Sequence, residues 1–141
     1  MVRCILIDED PGFAESLRGL LEAEGHTLEY HHGAFGALSA VHRRRYDVIL
    51  LDVEVSGPRC GQLVEYLHDR GVGGARVYLV SSLPEHRLGA TTKSYGAHGC
   101  LCKDWGYEKL LSFVRSLSMS SQTSTDRLQQ QSGSFWFGQV G

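Results

Sequence analysis

A chain of 141 residues is long enough to bury a core without disulfide or metal staples, and short enough for one domain with at most a tail. Its formal net charge of -2 gives no overall pull toward nucleic acid or an anionic membrane, and no apolar run approaches a membrane span. The first residues enter a strand-like run with no signal or transit pattern, so the expected location is cytoplasmic, with no membrane insertion and no direct nucleic-acid partner.

The chain then alternates between two hydrophobic periods. "VRCILI" (2–7) is a continuous apolar strand, followed by a helix over 10–25 with Phe13, Leu17, Leu20 and Leu21 on one face. Asp10 suits its N-cap, Pro11 its first turn and Gly25 its stop. "TLEYH" (27–31) alternates as an edge strand does. Phe35, Leu38 and Val41 have helical spacing, and "HRRR" (42–45) brings positive charge to that helix's C-terminus. "DVILLD" (47–52) is the third strand, and Leu63, Val64 and Leu67 mark a helix ending near Gly71. "RVYLVS" (76–81) and "HGCLC" (98–102) are the last strands, separated by a weakly amphipathic helix over 84–95. Tyr107, Leu110, Leu111, Val114 and Leu117 make the final helix.

Five strand–helix units in strict alternation imply right-handed crossovers and a parallel sheet with helices on both faces. The apolar strands suit a doubly covered sheet. Cys4, Cys60, Cys100 and Cys102 read as reduced, half-buried thiols. Cys100 and Cys102 share a strand face, but no second Cys or His pair at zinc-like spacing completes a ligand set. The seven His read mostly as surface residues. From residue 119 the composition turns to Ser, Gln and Thr, which reads as a flexible tail after a domain of 1–118. The tail ends in "FWFG" (135–138), which either packs back incidentally or serves as a docking element.

Polar residues collect just past the strands. Asp8, Glu9 and Asp10 follow the first, Asp52 ends the third, Ser81 and Ser82 end the fourth, and Lys103 and Asp104 follow the fifth. Open α/β sheets bind ligands beyond the carboxyl ends of their strands, where strand order reverses; for order 2-1-3-4-5 that is between strands one and three. Three carboxylates would converge there, and a hard cation such as Mg²⁺ or Mn²⁺ would relieve their repulsion. With Lys103 and the Ser81 hydroxyl beside it, the crevice suits a phosphoryl group, and a carboxylate there is a candidate nucleophile. Taken alone, Asp10 is a helix cap and Asp52 could cap the following loop.

Residues 1 to about 118 resemble a response-regulator receiver domain of two-component signalling, a flavodoxin-like (CheY-like) α/β fold. "ILIDED" resembles the strand-one acidic motif, "YDVILLDVEV" the phosphoacceptor strand, "VYLVSS" the strand-four motif and "GAHGCLCKD" the strand-five motif. The resemblance implies Asp52 as phosphoacceptor, with Ser81 as switch hydroxyl and Ser82 as the small residue that keeps the site open. It implies Lys103 as phosphate-binding lysine, and Asp8, Glu9, Asp52 and the carbonyl of Glu54 as Mg²⁺ ligands. It also implies a histidine kinase or histidine phosphotransfer protein as donor, and a downstream protein on the face of helix four, strand five and helix five. The sequence departs from the family pattern at Ser56, where a proline is usual, at Cys100, where an aromatic is usual, and at Asp104 after the lysine.

Residues 119–141 are too few for a further output domain, so the expectation is a stand-alone receiver that is no enzyme beyond its own phosphotransfer and dephosphorylation; homodimerisation is left open. The alternative is a pseudo-receiver, a phosphorylation-independent binding scaffold. A Mg²⁺ phosphohydrolase would use Glu54 as second acid, but the chain has no room for a cap domain.

Overall fold

The computed structural model describes residues 1–69 and 74–122. The strands are β1 (Arg3–Ile7), β2 (Thr27–His31), β3 (Val48–Asp52), β4 (Arg76–Ser81) and β5 (Gly99–Cys102), joined in one parallel sheet of order β2-β1-β3-β4-β5. The helices are α1 (Pro11–Ala23), α2 (Ala34–Arg43), α3 (Cys60–Asp69), α4 (Glu85–Tyr95) and α5 (Tyr107–Gln122). A short helical turn, Val53–Ser56, and a 3₁₀ turn, Gly57–Arg59, lie between β3 and α3. This is the CheY-like, flavodoxin-like architecture expected from the alternation. The last helix runs past residue 118, and the "FWFG" segment and Gly71 lie outside the described residues.

The apolar strands explain the sheet's place. All five residues of β3 are buried, and Cys4, Ile5, Leu6, Ile7, Leu79, Val80 and Leu101 join them. A parallel sheet needs such strands because helices shield both its faces. Leu17 and Leu21 of α1, Val64 and Leu67 of α3, Leu88 of α4, and Phe113, Val114 and Leu117 of α5 supply the shield. Asp10 caps α1 as expected, accepting the N–H groups of Gly12 and Phe13. Gly25 (φ 85°) and Gly96 (φ 75°) take the left-handed conformation that stops α1 and α4.

Two expectations are corrected. Phe35 does not face the core: α2 buries Ala37, Ala40 and Val41, and Phe35 is 91% exposed. The four cysteines are fully rather than half buried, and Cys60 is among them. Most of the His are exposed, as expected, and His26 is the buried exception.

His26 belongs to a recurring device at the amino end of the sheet. The residue just before a strand accepts the N–H that the neighbouring strand presents there. His26 Nδ1 accepts from Val2 at 3.0 Å, Asp47 Oδ2 from Arg3 at 2.8 Å, and His98 Nδ1 from Val77 at 3.0 Å. These acceptors satisfy donors that the ladders leave over and lock the start of each strand to its neighbour. The carboxyl ends of the strands are thereby left to carry the polar residues.

Candidate functional site

The first strand ends in the core, and Asp8, one residue on, is fully buried. Its backbone N–H continues the ladder onto His31 O at 3.1 Å, which fixes the start of the loop. Asp8 Oδ1 then accepts the N–H of Asp10 at 3.0 Å. Two strands away in sequence but adjacent in space, β3 ends on Asp52, which is 3% exposed. Asp52 Oδ1 accepts the N–H of Glu54 at 2.6 Å and of Val55 at 3.3 Å, so this carboxylate caps the helical turn after its own strand.

Lys103 closes the group. Its backbone N–H bonds Ser81 O, extending the pairing of β5 with β4. Its ammonium Nζ donates to Asp8 Oδ1 and to Asp52 Oδ2, both at 2.9 Å. Nζ is also 2.9 Å from Asp8 Oδ2, but without hydrogen-bonding geometry, so Oδ2 is buried with no hydrogen bond. The Phe13 ring lies 5.3 Å from Nζ on a further side.

The electrostatics follow from burial. The Asp8 carboxyl is pushed up to about 6, first by loss of water and then by Asp52, against the opposing pull of Lys103 and the Asp10 N–H. Burial works against the charge on Lys103, but the Asp52 and Asp8 carboxylates outweigh it and raise its pKa. The site is a buried acid pair short of positive charge, with one ammonium shared between them.

The other expected residues divide. Ser81 is buried at the strand tip, and its Oγ accepts the N–H of Leu83 at 3.0 Å. Ser82 is exposed beside it. Glu9 is exposed and does not join Asp8 and Asp52, and among the described residues no three acidic, His or Cys side chains are grouped to hold a metal ion. The N–H of Glu54 is bonded to Asp52, because the chain coils into a helical turn directly after β3. The donor chemistry nonetheless fits a hard cation. Asp8 and Asp52 offer only oxygen, and the buried Asp8 Oδ2, ion-paired with Lys103 Nζ at 2.9 Å, accepts no hydrogen bond.

Two contributors were not read from the sequence. Tyr30 has a buried Oη with no hydrogen bond, and the carboxylates of Asp8, Asp10 and Glu9 lie close enough to act on it electrostatically. The alternation of β2 places Tyr30 on one face, but only the register with β1 shows that this face is the one Asp8 uses. Trp105 is the second. Its Nε1 donates to Glu85 Oε1 at 3.2 Å, Lys109 Nζ reaches the same oxygen at 2.8 Å, and that ammonium sits 4.8 Å from the indole centre. The loop after Lys103 is thus tied to the first turn of α4. No short motif signals it, because Glu85 and Trp105 meet only in three dimensions.

The order 2-1-3-4-5 sheet thus carries a lysine-bridged acid pair at its switch point, where open α/β folds bind ligands. The response regulator receiver domain family matches residues 4–115, and the chain belongs to that family. Receiver domains are signalling domains of two-component systems, generally not enzymes; they generally interact with histidine kinases and bind Mg²⁺ at the phosphorylation site. The chain is 32% identical over 120 residues to the response regulator MprA of Mycobacterium tuberculosis (strain ATCC 25618 / H37Rv), covering 82% of this chain and 50% of that protein. It is 31% identical over 129 residues to MprA of Mycobacterium ulcerans (strain Agy99), covering 89% of this chain and 53% of that one. The chain therefore spans about half the length of the curated relatives it matches. Among solved structures, a response regulator from Thermotoga maritima superposes with a TM-score of 0.75 at 18% identity, over 85% of this chain and 99% of that one. A two-component response regulator from Clostridium difficile gives 0.73 at 20%, over 87% and 100%. At such identities the likeness speaks for the fold.

Proposed function

We propose that this chain is a phosphorylation-controlled receiver in which Asp52 accepts a phosphoryl group from the phosphohistidine of a kinase or phosphotransfer protein. The observation that carries the reading is Lys103 Nζ, 2.9 Å from both buried carboxylates. An oxygen of Asp52 attacks phosphorus, the P–N bond breaks with its electron pair passing to the imidazole, and an acyl phosphate forms. The shared ammonium lies against the Asp52 carboxylate and stands ready to bind a phosphoryl oxygen. Asp8 and Asp52 would hold Mg²⁺ or Mn²⁺, with Glu9, which would have to turn inward, and the carbonyl of Glu54 as further ligands; the ion when bound would supply charge neutralisation at the phosphoryl oxygens. Ser81 and Ser82 lie at the strand tip where a phosphoryl group on Asp52 would be bound.

The Ser81 hydroxyl, whose oxygen accepts the Leu83 N–H, can turn to donate its proton to a phosphoryl oxygen, and Lys103 moves with it. Because Trp105 ties the loop after Lys103 to Glu85, that movement reaches α4 and α5. The output is a change of protein partner on the α4–β5–α5 face, in the cytoplasm and without direct nucleic-acid contact. Among the described residues no helix is long and apolar enough to cross a membrane.

The test is incubation with acetyl phosphate, with and without Mg²⁺, read by intact mass. The expected result is a Mg²⁺-dependent gain of one phosphoryl group that Asp52→Asn abolishes. No gain with any donor would replace this reading with a phosphorylation-independent scaffold.

A further inference from the structure

The loop between β4 and α4 is held by two side chains that stand side by side at the tips of neighbouring strands. Ser81 ends β4, Cys102 ends β5, and the two are partners in the parallel register. Both are buried. Ser81 Oγ accepts the N–H of Leu83 at 3.0 Å. The Cys102 thiol donates to the carbonyl of the same residue, with Sγ 3.4 Å from the oxygen. One loop residue thus has its donor held by one strand tip and its acceptor held by the next.

The sequence explains why Leu83 takes its partners from side chains. Pro84 follows it and has no N–H to give. The first bonds of α4 run from Arg87 and Leu88 to the Pro84 carbonyl, so the Leu83 carbonyl lies ahead of the helix ladder. Leu83 is half-buried and packs against the core, where an unpartnered backbone group is costly. Helix α4 begins at Glu85, two residues on, so the place of Leu83 sets the place of the first turn.

The two holds respond differently to a phosphoryl group on Asp52. The Ser81 hydroxyl turns toward it. The loop follows the oxygen, because the Leu83 N–H would otherwise lose its acceptor. The thiol stays with β5, whose backbone is fixed to β4 by the Lys103 N–H on the Ser81 carbonyl at 2.8 Å. Movement of Leu83 with Ser81 Oγ therefore draws its carbonyl off the thiol. We propose that the Cys102 thiol keeps the β4–α4 loop in its unphosphorylated position and so sets how readily the domain switches. The proposal rests on the reading of Asp52 as phosphoacceptor and Ser81 as the hydroxyl that answers it. Cys102 touches no reacting atom, so it is a positioning residue.

The test uses the full chain with Mg²⁺ and beryllofluoride, a stable mimic of a phosphoryl group on a carboxylate. Binding is read by ¹⁹F NMR for wild type, Cys102→Ala, Cys102→Ser and Asp52→Asn. Cys102→Ala removes the donor and is expected to bind beryllofluoride about two- to fivefold more tightly, the worth of one weak hydrogen bond. Cys102→Ser restores a donor and is expected to return to wild-type affinity or fall below it. The S–H stretching band that Cys102→Ala deletes from the infrared spectrum is expected to move toward the free-thiol position when beryllofluoride binds. Equal affinity in wild type and Cys102→Ala, whatever the change in Tm, with wild-type binding that Asp52→Asn abolishes, would overturn the proposal and leave the receiver reading standing. Cys102→Ser binding as tightly as a tighter Cys102→Ala would also overturn it, since the donor would then not be what matters. No beryllofluoride binding by wild type would overturn both.

Discussion

A single ammonium shared by two buried carboxylates sets the character of this site, and its consequences are read residue by residue. Asp8 has its pKa raised from 3.8 to about 6, first by burial. The folded state therefore keeps a proton that the unfolded chain gives up between those values, and this contribution to stability is lost as pH rises through about 6. Asp8→Asn is expected to stabilise the metal-free protein at pH 7.5 by about 1–2 kcal/mol, and the gain should vanish as pH falls toward 3.8; paired thermal melts across this range check it. His26 titrates with the opposite consequence. Burial holds its pKa below 6.5, and its Nδ1 already accepts the Val2 N–H. The unfolded chain takes up a proton that the folded state refuses, so stability falls as pH drops below 6.5. His26→Gln, which keeps an acceptor for Val2, is expected to flatten that acid limb of the melting curve. Asp8, Asp52 and Lys103 were legible in the sequence because each follows an apolar strand. His26 was not, because nothing in "GHT" shows that its ring turns inward to a strand end.

At the scale of elements, strands were easier to read than helix faces. Four to six consecutive apolar residues leave little choice of state, so β4 was located to the residue. Helix α2 is different: Phe35, Leu38 and Val41 have the right spacing, yet the helix buries Ala37 and Ala40 beside Val41 and leaves Phe35 exposed. Small residues let it lie close to the sheet, and hydrophobicity alone does not weigh closeness. The α3–α4 contact shows the same preference. A Cβ on Gly61 would lie 2.9 Å from the Tyr95 ring. Gly61→Ala is therefore expected to cost about 1–3 kcal/mol despite the better helix propensity of Ala. Adding Tyr95→Ala should make the pair less costly than the sum of the single changes, and denaturant titration of all three variants measures that coupling. The turn after β3 also depends on a single group, since Asp52 is its only side-chain cap among the described residues. The helical turn also brings the Glu54 N–H onto Asp52, a bond that the sequence did not announce.

For the whole molecule, the sheet sorts its polar residues by end. The amino ends are closed by His26, Asp47 and His98, and the carboxyl ends hold Asp8, Asp52, Ser81 and Lys103. The fold was legible because strict alternation admits few topologies. The placement of Glu9 and Tyr30 was not, because it depends on strand register and loop path. All four thiols lie in or against the sheet, fully buried. A thiol reagent is therefore expected to find almost none of them in the native protein and all of them in denaturant; fast native reaction would contradict this packing. The central claim is that Asp52 carries the phosphoryl group, and borohydride tests it most directly, because it reduces an acyl phosphate to an alcohol. After treatment with acetyl phosphate and Mg²⁺, borohydride reduction and peptide mass mapping should find homoserine at position 52 and unmodified Asp8. Homoserine at another position, or none in a protein that has gained phosphoryl mass, would contradict it.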